Sequence, residues 1–244
     1  MKIPLSIVII TLNEEKNLPG LLGALEKQTY QPREIIVSDG GSTDGTVEVA
    51  RDHGCQIVDG GDNPAISRNN GASYAAQPYL LFLDADVLPD NEHLLENMLS
   101  ETTSKGYDAA TCDNIPICNH LPEQEQKIIR WAYAGYNCYQ RLSQYISPVC
   151  TGTFILSKKN AFELVNGFNE TLPFGEDSDF SLQIHKKGLR FRVLNEAKIR
   201  ISIRRFEQVG IAKGIGKPIF YNTKRMFSGA RGFKAEYPFD IYGS

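Results

Sequence analysis

The sequence predicts an α/β domain built on a mostly parallel central sheet with helices on both faces. Three observations predict it. Short β-branched apolar runs alternate with segments of helical apolar spacing through the first half of the 244 residues. Three of those runs end in polar clusters, Thr11-Leu12-Asn13-Glu14, Ser38-Asp39-Gly40-Gly41-Ser42 and Asp84-Ala85-Asp86, where a parallel sheet places its ligands. The composition, 41% hydrophobic and 23% charged, is that of a globular chain long enough to bury its own core.

Residues 5–10 read as a buried strand, bounded by Pro4 and by polar Thr11. Leu18, Leu21, Leu22 and Leu25 follow at the spacing of one helix face, with Asn13, Glu14 and Glu15 as its expected cap and first-turn charge. Residues 34–37 form a second strand after the turn signal Gln31-Pro32. Residues 47–53 form a helix opened by a Gly- and Asp-rich loop. A third strand at 55–58, a helix at 64–75 and a fourth strand at 79–83 complete the βαβ series. The second half is less regular. Residues 123–142 read as a helix with Ile128, Trp131, Gly135, Cys138, Tyr139 and Leu142 on its apolar face. Residues 153–156 read as a strand and 177–187 as a short helix stopped by Gly188. Residues 190–194 and 198–203 read as two further strands.

Net charge is −3 but unevenly spread. The last 47 residues carry +7 and the first 197 carry −10, an asymmetry that points the C-terminal stretch at a polyanion such as a diphosphate or an anionic lipid. Nucleic acid is not expected, because no recognition motif accompanies the charge. Five cysteines without a CxxC pair argue against a disulfide framework or structural zinc. No run approaches the roughly 20 apolar residues of a membrane span, and no signal-peptide pattern opens the chain. The expected location is cytoplasmic, with docking on the inner membrane face open to the basic stretch.

Chemistry-bearing residues cluster at the predicted strand ends. Asp84 and Asp86 flank one small residue, and paired carboxylates there suit Mg²⁺ or Mn²⁺, whose shell phosphate oxygens and water complete. Asp39 can accept N–H bonds from uracil or guanine but equally can close an Asx turn. Arg68, on a helix of small residues, can clamp a phosphate. Glu176, Asp177 and Asp179 head a helix, where acids complement the dipole; one left over in a cleft can act as general base. Arg204 and Arg205 can neutralise a leaving diphosphate.

Together these segments resemble family 2 glycosyltransferases of the GT-A fold, over residues 5 to about 207. The resemblance rests on SIVIITLNEEKNLPGLLGALEKQTYQPREIIVSDGGSTDGT (6–46), SRNNGA (67–72), YLLFLDADVLPD (79–90) and VNGFNETLPFGEDSDFSLQIHKKGLRF (165–191) in that order. It implies a GT-A domain over 1–207, with a nucleotide-sugar half to about 103, an acceptor half over 104–207, and a basic extension over 208–244. By the same resemblance, Thr11, Asn13 and Glu14 contact the nucleotide, Asp39 reads the base and Arg68 approaches the phosphates. Asp84, Ala85 and Asp86 form the DxD, with Asp86 ahead of Asp84 as metal ligand. Gly152 lines the donor sugar, Asp177 is the base and Glu176 supports it. The implied reaction is inverting, metal-assisted transfer of one sugar from a UDP-sugar, ahead of a GDP-sugar. The acceptor is a sugar, lipid-linked or glycan hydroxyl.

The chain departs from the family pattern where some members carry a metal-binding His after the late strand. Here that stretch reads Ile201-Ser202-Ile203-Arg204-Arg205. The QxxRW signature of polymer synthases is not evident. Two alternatives stand beside this reading: a non-catalytic nucleotide-sugar-binding protein, and a sugar-1-phosphate nucleotidyltransferase, whose Gly-rich loop after the first strand is missing here. A dinucleotide oxidoreductase would need GxGxxG at the same place.

Overall fold

The computed structural model describes residues 3–172 and 175–204. Its elements run β1 (Leu5–Thr11), α1 (Leu18–Glu26), β2 (Glu34–Asp39), α2 (Thr46–Asp52), β3 (Gln56–Asp59), α3 (Pro64–Tyr74), β4 (Tyr79–Asp84) and β5 (Val87–Pro89). They continue with α4 (Leu94–Ser104), β6 (Ala109–Ile117), α5 (Glu123–Ser143), β7 (Phe154–Lys158), α6 (Lys159–Leu164), α7 (Glu176–Lys186) and β8 (Phe191–Ser202). All eight strands join one sheet in the order β3-β2-β1-β4-β7-β6-β8-β5. Strands β3, β2, β1 and β4 are mutually parallel, as the βαβ alternation requires. From β7 onward the sheet is mixed: β7 is antiparallel to β4 and β6, β8 is parallel to β6, and β5 is antiparallel to β8.

The β1 run is apolar on both sides because both faces of the sheet are covered. Leu5, Ile7 and Ile9 pack with the leucines of α1 and with Leu94, Leu95, Met98 and Leu99 of α4. Val8, on the opposite face, packs with Ala65 and Ala72 of α3 and with Phe180 and Ile184 of α7. Close approach on that second face depends on Gly71, where an added Cβ would lie 2.3 Å from Val8 Cγ1.

Several sequence expectations change in the folded chain. Helix α1 begins at Leu18 with Asn17 as an N-cap lacking a side-chain bond, and its first turn holds no acid. Asn13, Glu14 and Glu15 instead tie the β1–α1 loop to the loop before α2. The Asn13 amide donates to Ser42 Oγ, that of Glu14 to Thr46 Oγ1, and Glu15 Oε2 accepts from the Gly45 amide. The expected apolar face of α5 points outward: Ile129 and Gln140 are its buried residues, while Ile128, Trp131 and Leu142 are exposed. The structure adds β5, α4, β6 and α6 to the expected elements; β5 and α6 are too short to show a period, whereas the buried Leu94, Leu95, Met98, Leu99 and Thr102 of α4 keep a helical one. The extension 208–244 lies outside the described residues.

The two late strands are one strand, β8, whose pairing with β6 jumps from Thr111↔Val193 to Asp113↔Lys198. A buried carboxylate holds this irregularity. Glu101 Oε2 accepts the Asn195 and Glu196 amides at 2.8 and 3.0 Å, and its Oε1 accepts Lys105 Nζ at 2.8 Å. Desolvation opposes the charge, but the hydrogen bonds from Lys105, Glu196 and Asn195 outweigh it and hold the carboxyl below its usual pKa. A lowered folded-state pKa stabilises above the unfolded Glu value and loses that contribution as pH falls through the folded value. We expect Glu101→Gln to be less stable than wild type at neutral pH. The difference should shrink as pH falls through and below the ordinary Glu range, as urea unfolding at stepped pH will show.

Candidate active site

The parallel register aligns the acidic strand ends along one edge. Thr11 stands beside Asp39, Asp39 beside Asp59, and Ile10 beside Asp84. The chain passes from β1 to β2 on one side and reaches β4 on the other, so this edge is a switch point of the sheet, where open α/β folds bind ligands.

Asp39 is buried and organises the loop that follows it. Its Oδ1 accepts from Thr11 Oγ1 at 2.7 Å and Ser42 Oγ at 2.6 Å, and its Oδ2 accepts the Gly41 and Ser42 amides at 3.1 and 2.8 Å. This is the Asx-turn arrangement, and it leaves the Asp39 carboxylate already engaged. Gly41, at φ +87, is where the turn requires glycine. Asn13, at φ 54, fastens the neighbouring loop through Oδ1, which accepts the Thr43 amide.

Arg68 of α3 is 2% exposed. Its Nη1 donates to Glu176 Oε1 at 2.6 Å and its Nη2 to Asp84 Oδ1 at 2.9 Å, so one guanidinium joins β4 to the start of α7. The Phe168 ring lies 5.5 Å from its Cζ. Burial alone would lower the Arg68 pKa, but the charges of Asp84, Glu176 and Asp177 override it and hold the group above its ordinary value. Arg68 Nε is buried with no partner among the described residues. Gly152 makes the arrangement possible, because a Cβ there would lie 2.1 Å from Arg68 Nη2. We expect Gly152→Ala to displace the guanidinium and destabilise the chain by about 1–3 kcal/mol, measurable by urea unfolding.

The two carboxylates of the DxD face different cations. Asp84 meets Arg68, whereas Asp86 lies 4.0 Å from Arg204 Nη2, whose shorter bond is to Glu14 Oε1 at 2.6 Å. Antiparallel pairing of β5 with β8 brings Arg204 there, helped by the Ser202 amide donating to the Asp86 carbonyl. Ala85 turns inward and packs in the core, so only its backbone can face a ligand. A cavity of about 290 Å³ opens at this point, lined by Lys16, Asp86, His120, Ser202 and Arg204 among others. Among the described residues no cluster of three or more His, Cys, Asp or Glu could by itself hold a metal. Asp86 is the carboxylate of the pair that lines this space, and it nonetheless fits a hard divalent ion, which takes one or two carboxylates and leaves its other positions to phosphate and water. Arg205 lies outside the described residues.

Helix α7 starts from Gly175 at φ +78, and its three leading acids separate. Glu176 turns to Arg68 and Asp179 is buried, while Asp177 is half-buried. Pro173 and Phe174 before it lie outside the described residues.

A polar group that the sequence left unread lies next to Cys150, whose Sγ donates to the Asp177 carbonyl. Asn114 Nδ2 donates to Thr151 Oγ1, Thr153 Oγ1 donates to Asn114 Oδ1, and Asn137 of α5 bonds the Asn114 backbone. Tyr136 presents a buried hydroxyl with no partner among the described residues. Desolvation first, and then the charge of Asp177, push its pKa well up. The polar residues that interrupt β6 hid that strand and with it Asn114, and nothing in the sequence placed Tyr136 of α5 near Asp177.

Several known proteins share this arrangement of elements. A mannosyltransferase, PcManGT from Pyrobaculum calidifontis, in complex with GDP-Man and Mn²⁺, superposes with a TM-score of 0.68 at 20% identity, over 82% of this chain and 57% of that one. The S. aureus TarS fragment 1–349 in complex with UDP-GlcNAc gives 0.61 at 21% identity, over 82% and 58%. At that identity the likeness is one of fold, the GT-A fold. In sequence, a 4,4'-diaponeurosporenoate glycosyltransferase of Staphylococcus haemolyticus is 38% identical over 42% of this chain and 29% of its own length. The O-antigen chain rhamnosyltransferase WbaN of Salmonella anatum is 25% identical over 73% and 59%. The chain thus spans under a third of the first of these relatives. The model for Glycosyl transferase family 2 matches residues 6–165, from the β1 strand through Asp39, Arg68, Asp84 and Asp86 and ending before Glu176 and Asp177. That match, over more than half of the chain and across the whole acidic strand edge, makes this protein a member of glycosyl transferase family 2.

Proposed function

We propose that the chain transfers a single sugar from a nucleoside-diphosphate sugar, UDP ahead of GDP, to an acceptor hydroxyl with inversion. The observation that carries this reading is the Arg68 bridge between Asp84 and Glu176, which sets the DxD strand end against the helix that begins with Glu176 and Asp177. The base would lie over the loop that Asp39 closes, with Ser42 Oγ yielding its bond to an incoming imide N–H. Thr11, Asn13 and Glu14 shape the other wall.

Asp86 and Asp84 would hold the divalent ion, which would neutralise charge on the diphosphate. Arg204, released from Glu14 and Asp86, would then turn its guanidinium to the leaving phosphate, as would Arg205. Asp177 would take the acceptor proton, with Glu176 and Arg68 keeping the start of α7 in place. Attack from the Asp177 side, opposite the leaving group, inverts the anomeric centre. Asn114, Thr151 and Thr153, next to Gly152, are suited to the hydroxyls of the transferred sugar. Relatives named for a diaponeurosporenoate and for an O-antigen chain support a lipid-linked or cell-envelope acceptor.

Thermal shift against UDP, GDP, CMP and TDP, each with Mn²⁺, tests the donor side. A ligand present at 100 times its Kd stabilises by about 2.7 kcal/mol, and UDP should give the largest rise. No rise with any nucleotide would sink the reading. Saturable binding of a UDP-sugar with neither its hydrolysis nor transfer would favour the non-catalytic alternative.

A further inference from the structure

Helix α5 carries an apolar stripe that the domain leaves in solvent. Ile128, Trp131 and Leu142 lie on its outer face, and Tyr145 and Ile146 extend the stripe just past its end; Trp131 is 78% and Ile146 79% exposed. Five large apolar side chains in one line are more than a surface ordinarily shows singly. No described helix is long and apolar enough to cross a membrane, so the stripe is not part of a span.

On α5 itself the charges nearly balance, with Glu125 against Arg130 and Arg141 paired with Asp113, so the positive excess comes from Arg192 and from the sequence that follows Arg204. Lys127 is offset by Glu123. Arg130 donates to the neutral Asn119 Oδ1, and Arg192 stacks on the Tyr145 ring at 4.8 Å and donates to backbone carbonyls. The described chain ends at Arg204, and its neighbour Ile203 packs on Ile129 of the same helix. The sequence that leaves there, from 205 to 234, holds seven basic residues and one acid. A second copy of the chain would bring these same cations against each other, whereas anionic headgroups complement them.

We propose that the outer face of α5 docks on an anionic lipid bilayer, lying in the interface with its apolar stripe among the upper acyl chains and its arginines at the headgroups. The opposite face of the helix carries Tyr136, whose buried hydroxyl feels the charge of Asp177. Docked this way, α5 lies between the bilayer and the candidate base, and the acceptor taken at the site is a lipid-linked hydroxyl. That last clause rests on the role proposed for Asp177; the docking does not.

Trp131 is the only tryptophan in the chain, so its fluorescence reports this face without any substitution. The full chain is mixed with vesicles of phosphatidylcholine containing a third phosphatidylglycerol, or of phosphatidylcholine alone. The expected result is a blue shift of Trp131 emission and quenching by brominated acyl chains with the anionic vesicles, weakened in high salt. The double variant Leu142→Asp, Ile146→Asp should lose at least about tenfold in the bound fraction while its thermal shift with UDP and Mn²⁺ stays as in wild type. Emission unchanged by anionic vesicles overturns the proposal. So does a blue shift that grows with protein concentration without lipid, which assigns the face to a second copy. Emission already blue-shifted and moving red on deletion of 205–244 also overturns it, by assigning the stripe to the chain's own C-terminal stretch. Vesicle binding that persists beside full turnover in Asp177→Asn would reject the catalytic reading and leave the docking surface standing.

Discussion

Arg68→Met is expected to destabilise the chain by about 3–5 kcal/mol, the loss associated with removing one partner of a buried ion pair. The guanidinium is 2% exposed, and the Asp84 and Glu176 side chains it bridges are 23% and 12% exposed. Without it, two carboxylates face one another away from water with no cation between them, at the point where β4 meets α7. Methionine fills much of the volume, so the loss reports charge and hydrogen bonding more than packing. Arg68→Lys should recover little, since a point charge cannot span two carboxylates as a planar fork does. Urea unfolding of the three proteins measures this. A loss under about 1 kcal/mol in Arg68→Met would show that the bridge contributes little to the fold.

Asp177→Asn is expected to lower turnover by about 10²–10⁴-fold while leaving donor binding largely unchanged. The expectation follows from how α7 starts. Glu176 is committed to Arg68 and Asp179 is buried, which leaves Asp177 as the half-buried acid of the first turn. Asparagine keeps the side-chain carbonyl that accepts the Ser178 amide, so the helix start should survive the change. It cannot take a proton from an acceptor hydroxyl. Single-turnover rates, with the UDP thermal shift as a control for donor binding, separate the two effects. Turnover within about twofold of wild type would remove Asp177 from the role of base.

Both expectations concern residues legible in the sequence whose partners were not. Asp39, Asp84 and Asp86 stood out because each ends a β-branched run, and a parallel sheet gathers such ends whatever the details of packing. Arg68 stood out as a charge on a helix of small residues, yet its expected partner was a phosphate. Its partners in the folded chain are Asp84 and Glu176, the latter 108 positions away. The apolar spacing of α5 is equally plain, yet Ile128, Trp131 and Leu142 face solvent. Periodicity says that a helix has two faces but not which one the domain covers.

Within the sequence alone lay the parallel half of the sheet, the helices that alternate with it and the acids at its edge. Strand and helix periods, and the residues that stop them, are properties of neighbours along the chain. Only the tertiary structure decided that Asp84 meets Arg68 while Asp86 meets Arg204, that Glu101 holds a break in one long β8, and that Trp131 faces outward. Each of these depends on which distant segments share a surface, and that is settled by how the layers pack around the sheet.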